Sequence, residues 1–242
     1  MRPINFIILF FLVSCTATST FNGSNSIKLS KSEIKLFDQE FSKYGLKDSD
    51  TLLDIGSGFG YIDEQIFRYY PNMFFVLEDI DIKYAKSNKG FVIVNGKTKY
   101  FKDNCKYVQG TNDSIPLASS SHKLILCRKT FHEFKNPTVM LKEIRRVLTN
   151  DGTLIIIEAI PKMPEEIDPY CKMKHLSKEE LLTVFFKNNF MLVSADTITH
   201  TSKKAIVGNF NILKFKKIPA ANISICKSWA DGSRVSTFVF SI

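Results

Sequence analysis

Asp54 closes a short apolar stretch, and glycines follow it at positions 56, 58 and 60, with Ser57 between the first two. Glycine lacks a Cβ, so glycines at alternate positions let a chain turn sharply and come close to a ligand. A helix opening at Tyr61 would aim its unpaired N–H groups, and the positive end of its dipole, at whatever the turn holds. Such a cradle suits a nucleotide-like cofactor that carries a carboxylate. The dinucleotide-binding version of the motif needs its third glycine one residue later, where this chain has Tyr61. Further on, Leu77-Glu78-Asp79-Ile80-Asp81 ends a second apolar run. A carboxylate at that point can accept hydrogen bonds from both hydroxyls of a ribose.

Three later stations extend the pattern: Gly110-Thr111-Asn112-Asp113-Ser114-Ile115-Pro116-Leu117, then Cys127-Arg128-Lys129-Thr130-Phe131-His132-Glu133-Phe134, then Asp151-Gly152-Thr153-Leu154. Taken in order over residues 45–217, they resemble the class I S-adenosylmethionine-dependent methyltransferases. The resemblance implies an α/β, Rossmann-like fold with a seven-stranded, mostly parallel sheet flanked by helices, and S-adenosylmethionine as cofactor. It places Gly56, Ser57, Gly58 and Gly60 in the cradle and gives Asp54 the amino end of the cofactor. Asp79 takes the ribose in preference to Glu78, because Asp-Ile-Asp matches the family's ending of that strand. Ile80 would wall the adenine face. The family's usual aspartate falls at Thr111 here, which leaves Asn112 and Asp113 as alternative partners for the adenine amino group. Cys127 joins the cofactor-binding set.

His132 is the candidate general base, needed only if the methyl acceptor is a hydroxyl or a protonated amine. It could equally be a helix-start residue packed beside the cofactor, and His175 is a second candidate. Tyr170, Cys171 and Met173 fall where the family builds part of its acceptor pocket. The likeness is to the small-molecule branch, which contains ubiquinone and menaquinone methyltransferases. The branch that methylates amino groups on bases clamps a flipped base after strand four with Asn/Asp-Pro-Pro-Tyr/Phe. Cys127-Arg128-Lys129-Thr130 cannot supply that clamp, so no nucleic-acid partner is expected. A catalytically degenerate module that binds the cofactor or a nucleoside is the alternative.

The elements that must position these residues follow from periodicity. Residues 31–44 put Ile34, Phe37, Phe41 and Tyr44 on one helical face, with Ser30 or Ser32 as cap. From Thr51 onward strand and helix alternate, the signature of a parallel sheet. Strands are expected at 52–55, 74–77, 107–109, 123–127, 153–158, 191–196 and 209–215. Helices are expected at 61–70, from Asn136-Pro137 to near 150–152, and at 177–188, with Ser177 and Glu180 as a capping box. Residues 90–104 form an insertion in which Asn95-Gly96 suggests a hairpin turn, with a continued helix as the alternative.

A net charge of +9 and a pI near 9.2 could signal an anionic partner, but the lysines are dispersed, as on a solvated basic surface. The five cysteines include no Cys-x-x-Cys pair and no His/Cys run at ligand spacing, so no metal site is expected. At the N-terminus, Arg2 precedes an apolar run over 4–13 that is too short to span a bilayer. Leu12-Val13-Ser14-Cys15 resembles the bacterial lipobox, whose cysteine is lipidated. The expected organisation is a lipoprotein-type signal at 1–15, a tether at 16–29, the catalytic domain at 30–217 and an extension at 218–242. That implies membrane contact through lipidated Cys15 at the cell envelope, with a cytoplasmic location as the alternative.

Overall fold

The computed structural model of the chain describes residues 30–202 and 205–219, with the backbone alone at 200–202 and 205–207. The expected signal, the tether and nearly all of the C-terminal extension, including Trp229, lie outside the described residues. In chain order the elements are α1 (Lys31–Phe41), β1 (Thr51–Ile55), α2 (Tyr61–Tyr69), β2 (Phe74–Asp79), α3 (Lys83–Lys86), β3 (Phe91–Val94), β4 (Lys97–Tyr100) and β5 (Cys105–Gln109). There follow β6 (His122–Arg128), α4 (Pro137–Val147), β7 (Leu148–Ala159), α5 (Lys178–Lys187), β8 (Phe190–Ser202) and β9 (Ala205–Lys217).

Seven strands form one sheet in the order β5-β2-β1-β6-β7-β9-β8. Pairing is parallel from β5 to β7, and β9 runs antiparallel to both of its neighbours, so it alone points against the rest. The expected fold class is therefore the observed one. Helices cover both faces, which is why β7 reads as an unbroken apolar run from Leu154 to Ile157. Its alternate residues serve two cores: Ile155 and Ile157 join Phe37, Phe41, Phe67 and Phe75, while Leu154 and Ile156 join Phe131, Ile144, Phe185 and Phe215. Phe185 and Phe215 stack with ring centroids 4.2 Å apart.

Local sequence sets the element ends. Ser30 caps α1 and Ser177 caps α5, each in a reciprocal box with the glutamate three residues on. Asn136 caps α4 ahead of Pro137. Asn95 and Gly96 both adopt positive φ, at 51° and 73°, and turn β3 into β4 as a separate two-stranded sheet. Two expectations need correcting. Ile34 is 43% exposed, because α1 meets the core only from Phe37 onward. The helix expected to reach 150–152 stops at Val147, and β7 starts at Leu148, where the pairing of His122 with Leu148 is followed by a shift of register.

Candidate active site

The loop after β1 is pinned to its neighbour by backbone bonds. The N–H groups of Gly56 and Ser57 both donate to the carbonyl of Glu78, at 2.9 and 3.0 Å. Gly56, Gly58 and Gly60 hold φ of 72°, 54° and 64°, a region that favours glycine. A Cβ on Gly56 would lie 2.2 Å from Thr130 Cγ2, so this position has no room for any side chain. Gly58 N–H donates to Asp79 Oδ2 at 2.9 Å, and Asp81 N–H donates to Asp79 Oδ1 at 2.8 Å. The acid at the end of β2 is thus locked against the glycine turn, yet a carboxylate has about four acceptor sites and keeps capacity for a ligand.

A cavity of about 570 Å³ opens at this edge of the sheet. That is within the usual range for small-molecule sites. Of the residues expected to bind a cofactor, Gly56, Gly58, Asp79, Ile80 and Asn112 line it. Ile80 is 60% exposed, as an apolar wall awaiting a flat ring would be. Between the two candidates for the adenine amino group, Asn112 faces the cavity and Asp113 faces solvent, its N–H turned back to Thr111 Oγ1. Tyr170 and Cys171 also line it, whereas the exposed Met173 does not.

Other expected residues stand elsewhere. Asp54 and Ser57 are buried behind the cavity wall. Gly60 caps α2 at φ 64°, a Cβ there would press on Leu77 and Phe101, and it does not line the cavity. Cys127 is wholly buried in the core with Ile125 and Phe131, because the phase of β6 turns its side chain away from the cavity. It is withdrawn from the cofactor-binding set. Sequence reasoning missed Phe59 and Tyr84, whose rings pair at 4.8 Å on the cavity wall, and Thr130, Glu133 and Phe134 on its floor. Nothing in their spacing marks them, since α3 and the turn at Phe131–Glu133 bring them in by tertiary packing.

Asp54 has an unexpected partner in Asp63, in the first turn of α2. Asp54 Oδ1 and both oxygens of Asp63 are buried without a fixed hydrogen-bond donor, and each carboxyl acts on the other. Burial, and then the charge of Asp63, raises Asp54 well above the carboxylate range, while Arg128 pulls it down. Burial likewise pushes Asp63 up to about 7. Acids with raised native pKa values bind more protons folded than unfolded, so stability falls as pH rises from about 4 through neutrality. Asp63→Asn should flatten that fall between pH 5 and pH 8 in thermal melts. Parallel curves for variant and wild type would show that the pair is not linked to folding.

His132 sits in the turn behind Glu133 and Phe134, not on the cavity wall. Its Nδ1 is 2.7 Å from Glu158 Oε2. Burial alone would lower its pKa, but the bond to Glu158 and that residue's charge outweigh this and raise it. His175 Nε2 lies 3.1 Å from Asp168 Oδ2. The two imidazoles meet edge to face with centroids 5.6 Å apart. The expectation of no metal site was drawn from linear spacing; in the fold, His132, Asp168 and His175 bring ligand atoms within 4.8 Å of one another.

Residues 53–156 match the family model described as a methyltransferase domain. That segment is under half of the chain; with the sheet order it makes the domain similar to class I methyltransferases, whose methyl donor is S-adenosylmethionine. The chain is 26% identical over 127 residues to the uncharacterized methyltransferase YcgJ of Bacillus subtilis, covering 52% of this chain and 47% of that protein. It is 30% identical over 123 residues to the demethylmenaquinone methyltransferase of Chlamydia caviae, covering 51% and 50%. The chain thus spans about half the length of the curated relatives it matches. Among solved structures, a SAM-dependent methyltransferase from Aquifex aeolicus superposes with a TM-score of 0.58 at 18% identity, over 77% of this chain and 93% of that one. At that identity the likeness is one of fold.

The donor's fit can be judged on this chain's own atoms. The cradle at Gly56 and Gly58 is open, and a Cβ at Gly56 would wreck it. Ser57 Oγ is buried without a hydrogen-bond partner. Buried polar atoms are normally paired, and a polar ligand in the loop is one way to pair this one. The residues fit the cofactor.

Proposed function

We propose that this protein transfers the methyl group of S-adenosylmethionine to a small-molecule acceptor. The observation that carries the proposal is the cavity itself, lined by the glycine turn, Asp79, Ile80 and Asn112 together with Tyr170 and Cys171. Asp79 would hold the ribose hydroxyls, Ile80 the adenine face and Asn112 the adenine amino group. The turn and the N-terminus of α2 would take the carboxylate, a contact worth about 0.3–1 kcal/mol, or up to ~2 when partly buried. Asp54 would serve the amino end from behind the turn, directly or through water.

When bound, the cofactor supplies a methyl group already activated by its sulfonium charge. What remains for the protein is to align the acceptor and exclude water, and such orientation can supply up to about 7–11 kcal/mol of a barrier. The loop over 161–175 lines the acceptor side and is tied down by Asp168, whose Oδ1 accepts from the N–H groups of Tyr170 and Cys171 at 2.7 and 3.0 Å. A small-molecule acceptor agrees with the absence of a base clamp after β6 and with a cavity of this size. Titration calorimetry with S-adenosylmethionine and S-adenosylhomocysteine should give one binding event with each. No heat with either, at millimolar ligand and several temperatures, would end the proposal. Binding without turnover across a panel of hydroxyl, thiol, amine and carbon acceptors would favour the non-catalytic binding module.

A further inference from the structure

His132 comes from the turn after β6, Asp168 and His175 from the loop after β7, and the oriented carboxylate Glu158 from β7 itself. The side chains of His132 and His175 are only 7% and 11% exposed. Glu158 holds Nδ1 of His132, which directs Nε2 away from it, toward Glu133 Oε1 at 3.9 Å. A carboxylate on the far nitrogen of an imidazole is the usual way to fix a metal-binding histidine. Asp168 is held in turn by the Tyr170 and Cys171 backbone. Ligand atoms of His132, Glu133 and Cys171 form a second group within 4.8 Å that shares His132 with the first. The neighbourhood carries three carboxylates, Glu133, Glu158 and Asp168, with Lys129 as the nearby lysine.

We infer that His132, Asp168 and His175 form a divalent-cation site, suited to zinc, beside the cavity that Glu133 and Cys171 line. Two imidazoles and a carboxylate are the donors zinc prefers, and three protein ligands leave a position open. Zinc–ligand bonds of ~2.0–2.2 Å set neighbouring donors about 3.3–3.6 Å apart. A set within 4.8 Å therefore closes around an ion by a contraction of about an ångström, with the Asp168–His175 hydrogen bond exchanged for bonds to metal. Glu133 and Cys171, which share His132 in the second group, both line the cavity, so the ion would lie beside it. The site stands on this geometry alone; a role in binding an acceptor's hydroxyl or thiol rests on the proposed function.

The test uses the full chain without an affinity tag, stripped with a chelator and titrated with Zn²⁺ by calorimetry. In parallel, Co²⁺ is followed by its visible d–d bands. One equivalent of Zn²⁺ should bind, and Co²⁺ should give the intense bands of low-coordinate cobalt. Glu158→Gln, a change to a positioning residue, should weaken Zn²⁺ by about 10–100-fold. His132→Gln and His175→Gln should weaken it further, with circular dichroism confirming that each is folded. Absence of stoichiometric Zn²⁺ uptake and of cobalt bands in the wild type would overturn the inference without reference to any variant. Unchanged affinity in folded His132→Gln and His175→Gln would overturn it too, leaving two acid–histidine pairs that merely hold the loop to the sheet. S-adenosylhomocysteine binding, measured on the same samples, separates this outcome from failure of the methyl-transfer proposal.

Discussion

Glu40→Ala should cost about 3–5 kcal/mol of folding stability, the scale for breaking a buried ion pair from one side. Glu40 is fully buried on α1, and its carboxylate meets Arg128 Nε at 2.6 Å and Nη2 at 3.1 Å. Tyr44 Oη donates to the same carboxylate at 2.5 Å. Arg128 ends β6 with its side chain 11% exposed, so deleting Glu40 strands a guanidinium where water barely reaches. The intact pair need not be strongly stabilising, since desolvation offsets most of its Coulomb attraction. For a domain of this size, the loss corresponds to a melting temperature lower by about 6–20 °C. Replacing both partners, as in Glu40→Met with Arg128→Met, should recover much of the loss. A single-variant cost below about 1 kcal/mol would mean that Arg128 is not anchored through Glu40.

Asp79→Ala should weaken S-adenosylhomocysteine by about 1.5–3 kcal/mol, roughly 10–150-fold, the worth of hydrogen bonds to a charged group. Two effects converge there. The ribose loses its acceptor, and Gly58 N–H loses the carboxylate that steadies the turn. Glu78 is the built-in control. It also lines the cavity, but its carboxyl folds over Gly110, where a Cβ would come within 1.5 Å of Oε1. Burial pushes its pKa up to about 8, so at pH 7 it is largely a neutral acid. Glu78→Gln should therefore change affinity by less than about threefold. A loss confined to Glu78→Gln, with Asp79→Ala silent, would transfer the ribose to Glu78.

What could be read from the sequence, and what could not, divides along the range of the interactions. The turn at 56–60 is legible because glycine spacing encodes positive φ, and the capping boxes at Ser30 and Ser177 lie within one helical turn. The strand-end acid at 79 is legible because the sheet's alternation delivers it to the same edge as the turn. Cys127 lies in the core because β6 is buried on both faces, so neither it nor its neighbour Leu126 reaches the cavity. Gly60 does not line the cavity, since sequence alone does not separate a glycine needed for a turn's positive φ from one that meets a ligand. The Glu40–Arg128 and Asp54–Asp63 pairs, and the cluster at His132, Asp168 and His175, join segments whose meeting depends on the whole fold. Ligand spacing rules describe local metal motifs, so they are blind to a cluster gathered from two loops.

The most direct test of the cofactor site is a crystal structure grown with S-adenosylhomocysteine. The ribose hydroxyls are expected on Asp79, the adenine between Ile80 and Asn112, and the amino-acid end over Gly56 and Gly58. Density for the compound outside this cavity, or an empty glycine turn at saturating ligand, would contradict it.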